Sequence, residues 1–468
     1  MVSVPFALGA NKRSAFPGFP QLNLYAEKSP TSPDKPYALV GRPGLEDYAT
    51  VGDGPIRALH RKSGLFDDGA IILSDETVYK LATNGSATAF SGTVPGQFRV
   101  SIASGLDPDQ LAVVRIANDL RLYKVTDAGG TVAENFPSAS ESDGASSIAY
   151  IRGFWIAIKT GTQQAYYLVP GDTDWTALSF ASAEYQPDKL IAVMILGDQI
   201  WFLGAATTEV WALTGQASPA IQPYGGLNFD IGCRARDTAV VVGSSLIWVG
   251  NDCSVYLSAG GVPKPISDNG LAEQIRKSNP LYLRAWGYVL DQHVYYVLTL
   301  EDQTWIYDGS TGFWNPANSK GLNYWRAHIG SDVSGLALAA DALPNNPQIW
   351  RVNPDDLTDS GEEIERLATA FLEWKGPRTR CANASLLCEL GNTGQDEAPQ
   401  VGMRWSDDGG KTFSDWLFRS IGRVGEYSAR PIWNRLGDIR APGRVFQFKS
   451  TDPAVIRLSD CRVNEDVR

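Results

Sequence analysis

The chain has 468 residues, 43% of them hydrophobic and 20% charged, with a formal net charge of −11. This is a globular composition with room for about two or three domains. It has no apolar run near the ~18 residues of a membrane helix, and its acidity argues against a phosphate-backbone binder, whose affinity rests on exchanging cations for counterions. The 46 glycines and 14 tryptophans suit a turn-rich all-β protein, because turns need glycine and sheets favour large rings.

Residues 1–50 carry proline at positions 5, 17, 20, 30, 33, 36 and 43. That density forbids regular helix and predicts an extended arm lying on another surface. The opening MVSVPFALGANKRSAF lacks the apolar core of a signal peptide. The five cysteines, Cys233, Cys253, Cys381, Cys388 and Cys461, are too scattered for a disulfide framework and read as buried thiols in a reducing compartment. Cys381 and Cys388 lack a zinc spacing, and His60, His293 and His328 fall in different repeats. No metal or cofactor site is expected.

From about Val51 to Ala370 an aromatic residue recurs inside an apolar tetrapeptide. Tyr79, Tyr123, Tyr167 and Trp211 are spaced 44 apart; Tyr256, Trp305 and Trp350 follow at 45, 49 and 45. Most copies follow a second apolar run and a polar turn, as in an antiparallel hairpin. Hairpins repeating every ~40–50 residues mark propeller blades, so 51–370 is predicted to be a β-propeller of six or seven blades. Helical patterning is scarce, with candidates at 271–277 (LAEQIRK) and 362–371 (EEIERLATAF). The acidic stretch 353–363 lacks calcium-loop spacing and reads as a solvated connection capping the second candidate.

The pattern changes at 371. Apolar CANASLLCEL, a polar loop over 391–400, alternating Phe446-Gln447-Phe448 and a last apolar run over 455–463 predict a β-rich docking domain over 371–468. Residues 1–50 are expected to lie against it, so that N- and C-terminal segments together form an additional β-rich domain. Ser406-Asp407-Asp408-Gly409-Gly410-Lys411-Thr412-Phe413 fits the Asp-box pattern, a hairpin turn in which the second Asp accepts backbone N–H bonds and the last ring packs inward. Asp boxes abound in sialidase propellers. The alternative function is therefore a carbohydrate-active (sialidase-like) or lectin-type propeller, which would need two carboxylates facing across a pocket. Asp188, Glu209 and Glu301 are available, but nothing singles out a pair, and the box occurs once, outside the repeats. A non-enzyme is expected.

Residues 401–468 carry 12 Lys/Arg against 9 Asp/Glu, whereas the first 400 carry 29 against 43. Arg419, Arg423, Arg430, Arg435, Arg440 and Arg444 lie among Tyr427 and Trp433, a mixture that protein interfaces select. Arg423, Arg430, Arg435, Arg440 and Arg444 are the candidate partner-interface residues, with protein rather than nucleic acid as the partner.

Several stretches resemble one family along nearly the whole chain. Asn23-Leu24-Tyr25-Ala26-Glu27, Arg42-Pro43-Gly44-Leu45 and Gly52-Asp53-Gly54-Pro55-Ile56-Arg57 resemble the opening of the packaged-DNA stabilisation proteins, or tail hub (nozzle) proteins, of short-tailed bacteriophages. Ala183-Glu184-Tyr185-Gln186-Pro187-Asp188, then Thr208-Glu209-Val210-Trp211 and Thr214-Gly215, resemble that family's most distinctive segment. Arg435-Leu436-Gly437 and the final strand continue the likeness. The resemblance implies no active site. It implies a virion tail protein assembled in the host cytoplasm, a homohexameric ring below the portal and adaptor rings. That ring would retain packaged DNA, form its ejection channel without specific binding, and anchor tail spikes, fibres or a plug.

Overall fold

The computed structural model describes residues 2–8, 21–28, 37–64, 66–105, 111–115, 122–126, 130–134, 136–137, 144–333, 335–343, 345–391 and 398–465. Much of the proline-rich arm (9–20 and 29–36) and of the polar loop (392–397) lies outside the described residues. Among the described residues, seven four-stranded antiparallel sheets follow one another as blades 1 to 7: 56–89, 100–134, 145–182, 190–229, 240–265, 284–317 and 327–353. The first strand of each blade touches the first strand of the next, and Ala327–Val333 touches Ile56–Arg61. The ring closes on itself with seven blades.

Blade 7 supplies only three strands from its own stretch. The fourth is Gly44–Thr50, which pairs antiparallel with Gln348–Asn353, from Gln348 against Thr50 to Asn353 against Gly44. The end of the arm therefore fastens the last blade next to the first.

All seven aromatic marks fall on the third strand of their blades. Tyr123, Trp211, Tyr256, Trp305 and Trp350 pack against the preceding blade, and half-buried Tyr79 reaches back to blade 7. Tyr167 departs from this. It shares a cluster with blade 4, while its neighbour Tyr166 faces blade 2. A strand alternates faces at every residue, so a one-residue offset is enough to turn the ring to the other side. The stride locates the strand in every blade but not the face in blade 3.

Helix Asn269–Lys277 forms where the sequence suggests, started by the Asp268 carboxylate accepting from Leu271 N–H at 2.9 Å. The second helical candidate is corrected: Arg366–Glu373 is a strand, paired along its length with Gly443–Ser450. On its other side Ala7 N–H donates to the Thr369 carbonyl, and Leu22 exchanges hydrogen bonds with Leu367. Partners on both sides satisfy the peptide groups that a helix would have satisfied internally, so tertiary pairing overrides local propensity.

This strand belongs to a sandwich. One sheet orders Arg366–Glu373, Gly443–Ser450, Gln400–Ser406 and Leu417–Ser420; the other orders Leu24–Lys28, Tyr37–Gly41, Arg457–Val463, Asn383–Cys388 and Ile432–Asn434. Val2–Val4 also pairs with Arg457–Val463. Val4, Leu24 and Leu39 from the arm share one core with Ala368, Met403, Trp433, Phe446 and Cys461. N- and C-terminal segments build this second domain together.

Trp211 is 6% exposed and fills the space between blades 3 and 4. Trp211→Ala is expected to lower stability by ~3–5 kcal/mol, the cost of a large buried ring plus its cavity, as measured by denaturant unfolding.

Candidate functional site

The two domains meet where the arm crosses from one to the other. Asn23 takes φ 55° and donates its amide to Asn318 Oδ1 (2.7 Å) and the Glu365 carbonyl (2.8 Å). Tyr25 meets Tyr288 of blade 6 hydroxyl to hydroxyl at 2.9 Å, and Glu27 lies 3.3 Å from His293. Arg42, immediately after strand Tyr37–Gly41, donates to both carboxylate oxygens of Asp359 at 2.9 and 2.6 Å. It also donates to Asn23 Oδ1, the Pro43 carbonyl and the Asn318 carbonyl, under the Trp325 ring. Asp359 further accepts from the Ser319 hydroxyl at 2.7 Å. The side chains of the pair are 0% and 2% exposed. The acidic stretch 353–363 is therefore not merely solvated, because its middle carboxylate is buried under the arm. A Cβ on Gly44 would lie 2.2 Å from the Thr358 carbonyl oxygen, so only glycine lets the chain turn into blade 7 here.

Two of the candidate carboxylates are engaged in turns. Asp188 accepts from the backbone N–H groups of Ala205, Ala206 and Thr207 at 3.0, 2.7 and 2.7 Å. Glu209 accepts from Tyr185 N–H at 2.9 Å and from the Trp211 indole at 3.0 Å. Glu301 is exposed in the turn between His293–Thr299 and Thr304–Asp308. In the Asp box, Asp408 accepts from Lys411 and Thr412 N–H (both 2.9 Å) and from the Thr412 hydroxyl. Hydrogen bonds from Thr412 and Ser406 hold its carboxyl well below the usual carboxylate range. Phe413 is half-buried, with the Arg404 guanidinium between it and Trp416 at 4.3 and 4.5 Å.

The five candidate arginines separate. Arg444 is 1% exposed, donates to both oxygens of Asp407 at 2.6 and 2.8 Å, and bonds the Leu436 and Asp438 carbonyls. It is occupied inside the sandwich. Arg430 pairs with Glu465. Arg423, Arg435 and Arg440 are exposed, as are Phe418, Val424 and Tyr427 on the same domain. Strand Leu417–Ser420 is an exposed sheet edge, paired along one side with Gln400–Ser406.

The first strands of the blades enclose an axial cavity of about 550 Å³. At one mouth Lys62 donates to the Ser104 and Gly105 carbonyls and lies 5.3 Å from the Tyr150 ring. At the other lie Arg99, Arg236 and Asp237. Arg236 donates to Asp237 Oδ1 (2.7 Å), the Ser146 carbonyl (2.9 Å) and the Arg99 carbonyl (3.2 Å). Sequence reading missed this cluster, because Arg99 stands at the start of blade 2 and Arg236 and Asp237 in the turn leading into blade 5, and only ring closure gathers them. All five cysteines are free thiols, four buried and Cys388 partly so. Among the described residues no three His, Cys, Asp or Glu side chains are grouped to hold a metal.

The family profile described as "Bacteriophage P22 Gp10, beta-propeller" matches residues 2–333, and that described as "Bacteriophage P22 Gp10, beta-sandwich" matches 365–466. No curated protein matches significantly. Among solved structures, the WD40 propeller domain of Doa1 is similar at 13% identity and TM-score 0.41, over 66% of this chain and 96% of that one. The exo-β-1,3-galactanase of Phanerochaete chrysosporium, with galactotriose, is similar at 7% and 0.30, over 78% and 95%. Likenesses this low say nothing about activity.

Two predictions come from these sites. Arg42→Ala leaves Asp359 buried without its cation and is expected to cost ~3–5 kcal/mol, read by denaturant unfolding, with faster proteolysis at the domain seam. The second concerns pH. Burial, and then Lys62, lowers the His60 pKa to about 4; burial, and then Arg284 and Arg99, lowers that of His328. Above about pH 6.5 both rings are neutral in folded and unfolded chains and contribute no pH dependence. Below it the unfolded chain binds protons that the folded one refuses, so stability falls as pH drops from about 6.5 towards 4. A His60→Gln/His328→Gln variant should show a flatter unfolding profile across that window.

Proposed function

The chain belongs to the bacteriophage P22 Gp10 family, a structural component of the phage tail, and on that premise we propose that it is the tail hub, or nozzle, of a short-tailed virion. In this reading six copies form a ring below the portal and adaptor rings, retain packaged DNA, frame its exit path, and anchor spikes, fibres or a plug. The observation that carries it is the family match over both domains, propeller and sandwich, rather than over the widespread propeller alone. The two domains are joined through a buried ion pair and through the arm, which pairs first with a sandwich strand and then with blade 7, as suits a part that bears load.

The geometry bears on the route of DNA. A cavity of about 550 Å³ is the size of a small-ligand pocket. The exit path in this proposal therefore runs between subunits of the ring, with each propeller as a solid wall. An acidic wall favours passage, since a cationic one would hold phosphate.

Subunit and adaptor contacts are assigned to the sandwich. Its exposed Arg423, Arg435 and Arg440, with Phe418, Val424 and Tyr427, combine arginine and aromatic residues as interfaces do, and Leu417–Ser420 is an exposed edge strand of the kind to which another chain can add. Arg423→Glu/Arg440→Glu is expected to reduce ring formation or docking to portal–adaptor rings, counted by negative-stain imaging, with an unchanged circular dichroism spectrum. Wild-type assembly by that variant would move the interface elsewhere. Arg444→Glu is expected to unfold the sandwich instead, as it leaves a buried acid against Asp407.

No catalysis is proposed. Purified protein should turn over no glycan substrate, and hydrolysis lost in Asp188→Asn or Glu209→Gln would overturn the structural reading.

A further inference from the structure

The charges at the Arg99 mouth of the propeller do not balance. Arg99 stands at the start of blade 2, Arg236 in the turn leading into blade 5, Arg284 at the start of blade 6, and His328 at the start of blade 7. Asp237 is the acid whose charge bears on Arg99, Arg236 and Arg284 together. It contacts Arg236, and among the described residues no carboxylate forms an ion pair with Arg99 or Arg284. With Asp237 matched to Arg236, two positive charges remain in an enclosed site. Burial, and then Arg99, pushes the Arg284 guanidinium down to about 10, and burial also lowers Arg99.

Polar nitrogens are idle as well. Arg99 Nη1, Arg284 Nε and both ring nitrogens of His328, a residue only 7% exposed, are buried without a hydrogen-bond partner among the described residues. Arg99 is held by one long bond, Nη2 to the Ala285 carbonyl at 3.3 Å. Idle buried donors cost free energy, and unmatched buried charge costs more. Water entering the cavity could satisfy the donors but not the charge.

We propose that this mouth binds one small doubly charged oxyanion of phosphate or sulfate size, held by Arg99 and Arg284 with the His328 ring N–H beside them. Arg236, fixed by Asp237 and by the Ser146 and Arg99 carbonyls, forms the back of the site. The guanidinium fork matches an oxyanion with two parallel hydrogen bonds. A dianion neutralises the two unmatched charges, and the axial cavity, lined by Arg99 and Arg236 and by Ala285 and Ile329 next to Arg284 and His328, leads to the site. Its role would be to tie blades 2, 6 and 7 together on the propeller axis, where no backbone pairing joins them among the described residues.

The test is phosphate binding by the intact protein, with sodium phosphate compared against sodium chloride and sodium acetate at equal ionic strength. Thermal unfolding and titration calorimetry give the two readouts. Phosphate is expected to raise the unfolding temperature where chloride and acetate do not. Arg284→Gln and Arg99→Gln are each expected to weaken phosphate binding at least tenfold and, without phosphate, to be no less stable than the wild type. Should a Gln variant fail to fold, Arg284→Lys keeps the charge and loses the fork, and weaker phosphate binding is again expected. Equal effects of phosphate and chloride, stabilisation by acetate alone, or undiminished phosphate affinity in the Arg284 and Arg99 variants would each overturn the proposal.

Discussion

Most of the architecture depends on one buried contact, the Arg42–Asp359 ion pair. On one side of Arg42 the chain is a strand of the sandwich; from Gly44 onward it is the outermost strand of blade 7. Asp359 sits on the return connection, between blade 7 and strand Arg366–Glu373. The pair thus clamps both crossings of the domain boundary, outward and back. A buried ion pair is not a strong source of net stability, since desolvation offsets much of its attraction. What it does supply is geometry: a planar five-donor guanidinium surrounded by Asp359, Asn23, Asn318 and the Pro43 carbonyl admits one arrangement of four separate segments.

The same crossing explains why the propeller and sandwich form a single part. A ring of blades has one weak joint, between first and last, and here the joint is closed by a strand that arrives from the other domain. Pulling the sandwich away would therefore also strip blade 7 of its outer strand. In a tail component this couples the proposed attachment surfaces to the rigid body that carries them, and it gives a reason for the glycine turn at Gly44. The propeller axis has a different character. Its mouth gathers arginines from several blades in a chain that is acidic as a whole, so local and global electrostatics point in opposite directions.

The segments on which the sequence resemblance rests have structural roles in this fold. Asn23–Glu27 and Arg42–Leu45 are the domain seam; Asp188 and Glu209 brace the turns of blade 4. Of the three candidate carboxylates, Asp188 and Glu209 are engaged by backbone and indole donors and hold loops in place, while Glu301 is exposed in a turn. The Asp box is likewise a turn, and its first aspartate takes the buried guanidinium of Arg444.

The sequence by itself determined the repeat: an aromatic residue on the third strand of every blade, because each blade must bury the same face against its neighbour. It also determined the helix after Asp268, the Asp-box turn, the buried thiols and the change of pattern after the propeller. These are local facts, set by periodicity, turn chemistry and hydrophobic spacing. Tertiary structure decided what depends on partners distant in the chain. It made a strand of Arg366–Glu373, despite a helical pattern, by offering hydrogen-bond partners on both edges. It turned Tyr167 to the opposite face from its counterparts, buried Asp359 beneath Arg42, and took Arg444 inside while leaving Arg423, Arg435 and Arg440 exposed. The Arg99–Arg236–Arg284 cluster exists only because the ring closes. Residues 99, 236 and 284 share no motif and no period, and proximity through a closed fold leaves no trace in the order of residues.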